Sequence, residues 1–154
     1  MIKHAALLLS LASQFAYAEL IEKDDAEYWT VDGLAHYVRS QEDERFVANL
    51  VSRSGDRSVI AFTNTRRSCY EGGEKKRTSK IHYQWVKYIR TCASGNEYWI
   101  PVSQQGKSFV KQHFSSNADV KVLFNNIEYT FSTKEFVSVR QRWEITVRAL
   151  GDAI

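Results

Sequence analysis

Beyond its first eighteen residues the chain holds three histidines, His36, His82 and His113, and two cysteines, Cys69 and Cys92. These residue types carry nucleophilic, acid–base or metal chemistry, so their spacing decides which chemistry is available. No two histidines stand at metal-pair spacing and no HExxH run occurs, so the usual zinc patterns are missing. There is no CxxC pair, no GxSxG elbow and no phosphate loop. Glu42-Asp43-Glu44 is the densest carboxylate group, but consecutive residues do not share a face, and a solvated turn accounts for it better than a catalytic pair. Two carboxyls held across a cleft, as in glycoside hydrolysis, leave no spacing signal at all. A small hydrolase with dispersed catalytic residues therefore stands as the alternative reading, with His36, His82 and Glu97 the first residues to test. No metal and no cofactor are expected.

The cysteines are read through the compartment, and the first eighteen residues point to export. Lys3 is followed by the apolar run Ala5 to Ala12 and then by Ala16-Tyr17-Ala18, the small-x-small form of a cleavage site. The apolar residues are consecutive rather than spaced at 3.6, which argues against an amphipathic helix. Residues 1–18 are thus expected to be a signal peptide and residues 19–154 a single periplasmic or secreted domain. In such an oxidising address Cys69 and Cys92 are expected to form a structural disulfide. It would close a loop of 24 residues, worth about 3 kcal/mol by loop entropy.

Charge is sorted along the chain. Residues 19–65 carry five basic and ten acidic side chains, whereas residues 66–92 carry eight basic and two acidic. The basic block is Arg66, Arg67, Lys75, Lys76, Arg77, Lys80, Lys87 and Arg90, and six of the eight lie between the cysteines. Gly72-Gly73 marks an exposed loop tip among them. Two readings follow: a solubilising loop facing water, or an anion contact that a partner neutralises. Aromatic residues interleave the block at Tyr70, Tyr83, Trp85 and Tyr88. Nucleic acid is disfavoured as that partner, because the expected compartment lacks it and the net charge after cleavage is only +2. An acidic protein surface or an anionic envelope polymer fits better.

Ser94-Gly95-Asn96-Glu97-Tyr98 fits an S-G-x-x-Y pattern, and it resembles the loop by which one family of periplasmic lysozyme inhibitors blocks its target. The resemblance covers three defined positions. It implies a small β-barrel with a disulfide, and it makes Ser94 and Tyr98 candidate binding residues. A Ser-Gly turn before a strand accounts for the same residues.

The elements that must position these groups read mainly as strands. Composition is ordinary for a globular chain, with 44% hydrophobic and 25% charged residues, which excludes collagen-like and low-complexity classes. No apolar run reaches the roughly 18–20 residues needed to span a bilayer. Phe46 to Ser52 and Ser58 to Thr65 form a hairpin across the Gly-containing turn 53–57. Ile81 to Thr91 reads as one long strand, and Ser94-Gly95-Asn96 turns it into Glu97 to Val102, where Pro101 marks an edge or a strand end. Ser108 to Phe114 is a further strand candidate. Val120 to Phe124 and Ile127 to Phe131 alternate on either side of Asn125-Asn126, a pair suited to a tight primed turn. Ser132-Thr133-Lys134-Glu135 matches a capping box. Phe136, Val139, Trp143, Val147 and Leu150 then form the stripe of a C-terminal helix, with Gly151 as its stop. A second helix is placed at Asp32 to Arg45.

The fold class expected is mainly β: a small antiparallel sheet or sandwich with a C-terminal α-helix and one disulfide. The function expected is an exported, non-enzymatic binding protein (an inhibitor, an immunity-type protein or an envelope accessory factor). It would recognise its acidic partner through the basic, disulfide-closed loop, with Arg66, Arg67, Lys75, Lys76, Arg77, Lys80 and Trp85 as contacts. Besides the hydrolase, a structural subunit of an envelope assembly is the remaining alternative.

Overall fold

The structure, a computed structural model, describes residues 25–53, 55–70 and 75–152. The proposed signal peptide and the Gly72-Gly73 loop tip lie outside the described residues.

Nine strands and two helices follow one another: β1 (Thr30–Asp32), β2 (Ala35–Arg39), β3 (Phe46–Arg53), β4 (Asp56–Ser68), β5 (Lys76–Ile81), β6 (Gln84–Ala93), β7 (Asn96–Pro101), α1 (Gln104–Phe114), β8 (Val120–Phe124), β9 (Ile127–Phe131) and α2 (Phe136–Asp152). The strands make one antiparallel sheet in the order β1-β2-β3-β4-β7-β6-β5-β8-β9. The mainly β fold with a C-terminal helix is therefore present as a single sheet, not as two packed sheets.

The sheet curls until its ends meet. The Gln41 backbone N–H donates to the Thr130 carbonyl at 2.9 Å, and the Trp29 N–H donates to the Lys134 carbonyl at 3.0 Å. The Trp29 indole N–H is satisfied by the Ser132 carbonyl. Alternation sends Phe46, Ala48, Leu50, Ile60 and Phe62 to the inner face, where they join Val110 and Phe114 of α1 and Phe136 and Val139 of α2 in one core. Phe46 of β3 stacks on Tyr129 of β9 at 4.1 Å between ring centroids. Aromatic contact thus spans the curl and reinforces its closure beyond simple area burial. On the outer face Val59, Ala61 and Ile100 form a small second cluster, packed by Val51, Ile89 and Tyr98.

Several local expectations are corrected. Residues 81–91 are not one strand: His82 takes a positive φ of 52° and a two-residue turn separates β5 from β6, with Ile81 paired to Gln84. The turn, His82-Tyr83, lacks Gly or Asn and is flanked by Ile81 and Trp85, so the break leaves little compositional mark. Ser108 to Phe114 belongs to helix α1, capped by Ser103, whose Oγ accepts from the Gly106 N–H at 3.0 Å. The stretch placed as a helix at 32–45 is instead the β1–β2 hairpin, turned by Gly33 at φ 57°, and the start of a loop into β3. Helix α2 begins at Phe136 rather than through a Ser132 capping box, because Glu135 adopts φ 67° and breaks the helical run. Gly151 lies inside that helix and does not stop it. Pro101 is a strand end, as its missing N–H requires.

Candidate binding site

The antiparallel register of β5 and β6 places Lys80 opposite Trp85, Thr78 opposite Lys87 and Lys76 opposite Ile89. Alternation turns these six side chains to the outer face, while Ser79, Ile81, Val86 and Tyr88 are buried. The result is a ladder of cations, a hydroxyl and an aromatic ring on the outer face. Trp85 is 55% exposed, and the Lys80 ammonium lies 4.7 Å from its ring centroid, a cation–π contact that holds the indole. Tyr83, in the adjoining turn, is almost fully solvent-exposed.

Helix α1 makes the second wall. Gly106 allows it to approach: a Cβ there would stand 3.2 Å from Ser103 Oγ and 3.3 Å from Val86 Cγ1. Between β6 and the start of α1 lies a hollow of about 430 Å³, lined by Gln84, Trp85, Lys87, Val102, Gln105 and Phe109 among others. A neighbouring hollow of about 560 Å³ runs over Lys76 and Thr78 and shares Lys87 and Val102 with the first. Among the described residues no carboxylate lines either one. Lys87 has no ion-pair partner among the described residues, so its charge is left to solvent or a ligand.

The basic block is split by the sheet. Lys76, Lys80 and Lys87 take the outer face, but Arg77 turns to the other side. Its guanidinium lies 4.8 Å from the Trp99 centroid and 5.1 Å from that of Phe124, and it donates to Asn125 Oδ1. Arg67 sits at the same mouth of the curl beside Glu97, around a space of about 10 Å³, no larger than one water needs. Glu97 is buried and pairs with Arg90 at 3.8 Å. Arg66, near the end of β4, and Lys75, just before β5, are exposed. Cys69 and Cys92 are disulfide-bonded, as expected.

Ser94 and Gly95, at φ 50° and 77°, form the β6–β7 turn, and Tyr98 packs beside the small outer cluster. Ser94 is nine strand residues from Trp85, roughly 30 Å at extended spacing, so the two belong to different surfaces. His36 is buried, with its ring 5.1 Å from that of Trp143. His82 instead meets His113, with ring centroids 4.7 Å apart, and Phe109 packs on His113 at 4.5 Å. Burial, and then the charge of His82, lowers the pKa of His113 below its ordinary 6.5. His36, His82 and Glu97 stand on separate elements, and no hydrogen bond or ring contact among the described residues joins them. No group of three or more His, Cys, Asp or Glu among the described residues could hold a metal. No described helix is long and apolar enough to cross a membrane.

Gln84, Lys87, Val102, Gln105 and Phe109 were not among the expected contacts. Lys87 was visible in the charge block, but Val102 to Phe109 reach the groove only because the chain turns from β7 into α1, whose start meets Val86 of β6 at Gly106. The one local sign was Ser103, an N-cap residue directly after Pro101-Val102. Compared with known proteins, the chain matches no family model, no curated sequence and no solved structure.

Proposed function

We propose that this chain is an exported, non-enzymatic binding protein that holds an acidic partner against the outer face of β5 and β6. The observation that carries this reading is the pair of adjoining hollows: Lys87 lines both, with Trp85 in the first and Lys76 in the second, and no described carboxylate lines either. Cations on a rigid sheet steer a negatively charged partner, while the aromatic and aliphatic surface beside them supplies desolvated contact. Export rests on the apolar leader of residues 5–12 with its Ala16-Tyr17-Ala18 site, and the Cys69–Cys92 disulfide is compatible with it. The contact surface stays within the span closed by the cysteines and is carried by strands β5 and β6.

The test is binding of two acidic polymers, poly-L-glutamate and polygalacturonate, at low and at physiological ionic strength. Binding of at least one is expected, weakening with salt, and weakening further in Lys76→Glu/Lys87→Glu. Both lysines are exposed, so the double variant should melt where the parent does. Failure to bind either polymer at low salt, or binding indifferent to the double reversal, removes the reading.

A further inference from the structure

We infer that the groove between β6 and α1 is a carbohydrate subsite, and that the acidic partner is a polysaccharide bearing carboxylate groups. This rests on the reading above and narrows it to one ligand class. Lysines alone would satisfy an acidic peptide, whose carboxylates ride on flexible, well-hydrated side chains. This groove adds three features that a peptide of that kind does not need.

The first is the indole of Trp85, half-exposed, flat and held by Lys80 over the ring. A sugar ring offers a face of C–H groups that packs against such a surface without losing a hydrogen bond. The second is the pair of neutral amides, Gln84 and Gln105, lining the same hollow as the indole. Each carries two donors and an acceptor, which suits hydroxyls that both give and accept. The third is position: Lys87 lines both hollows, so a carboxylate attached to a ring stacked on Trp85 has a cation one strand-step away. The neighbouring hollow continues over Thr78 to Lys76, extending the track for a chain rather than closing around a single sugar. Both volumes fall within the range of small-ligand sites, and a few polar groups on an apolar, aromatic floor is how such sites fix orientation.

The experiment compares polygalacturonate, poly-L-glutamate and uncharged dextran as ligands of the disulfide-bonded protein as its cell produces it. Polygalacturonate is expected to bind more tightly than either of the others. Trp85→Ala is expected to weaken polygalacturonate binding about tenfold and to leave poly-L-glutamate binding unchanged. Gln84→Ala/Gln105→Ala, two surface truncations, should show the same selectivity and provides the test should Trp85→Ala not fold. Poly-L-glutamate bound as tightly as polygalacturonate, or polygalacturonate binding untouched by the folded variants, overturns the carbohydrate assignment and leaves the acidic partner standing. Dextran bound as well as polygalacturonate, or no polymer bound, overturns both.

Discussion

Adjacent residues in a strand serve opposite sides of the sheet, and Lys76 and Arg77 show what that does to a run of like charge. Both residues border the second hollow, but Lys76 is exposed, whereas the Arg77 guanidinium is half-buried over Trp99 and Phe124 and donates to Asn125. Arg77→Glu should therefore cost about 1–2 kcal/mol, seen as a lower melting temperature, while Lys76→Glu should leave melting unchanged. Equal melting of the two variants would mean that Arg77 is only a surface charge. The composition revealed the charge block but not its division, because alternation has to be counted from a strand start and the β5 start lies inside the basic run. His113 gives a second prediction at this scale. Its pKa is lowered by burial and by His82, so the unfolded chain takes up a proton first as pH falls below 6.5. Stability should then drop with falling pH below that value, levelling once the folded His113 itself protonates. His113→Gln should flatten this part of the melting profile, and an unchanged profile would exclude the His113 contribution.

At the scale of elements, turns decide what could be read in advance. Asn125 and Asn126, at φ 54° and 62°, make the β8–β9 turn, and asparagine is among the few non-glycine residues that accept such angles. That hairpin was legible because its turn chemistry and its alternation agree. The β5–β6 turn uses His82 at a similar angle without any such signature, which is why two strands read as one. Asn126→Ala should accordingly destabilise the protein by about 1 kcal/mol, since alanine carries a Cβ and no compensating side-chain hydrogen bond. Chemical denaturation with an unchanged slope and a lower midpoint would show it, and an unchanged midpoint would refute it. The candidate site was half visible for the same kind of reason. Trp85 and the lysines are local to one hairpin, whereas Gln105 and Phe109 arrive from α1, packed against β6 through a glycine contact that a linear reading does not contain.

For the molecule as a whole, stability and recognition sit at opposite ends of the same strand. The disulfide joins the region just after β4 to β6 across the intervening β7, where the Cys69 N–H also donates to the Gly95 carbonyl at 3.0 Å. Lys87 lies five residues back along β6, roughly 17 Å from Cys92 at extended spacing. Between them the strand pairs with β7 from Tyr88 to Cys92 and with β5 as far as Ile89. Losing the cross-link releases loop entropy to the unfolded chain, about 3 kcal/mol for a loop of this length, and leaves the paired region around the groove in place. Cys69→Ser/Cys92→Ser should therefore melt well below the parent yet bind an acidic polymer with the parent's affinity at temperatures where it remains folded. Affinity that fell in step with stability would show instead that the cross-link shapes the groove, and that the two ends of β6 are mechanically one unit.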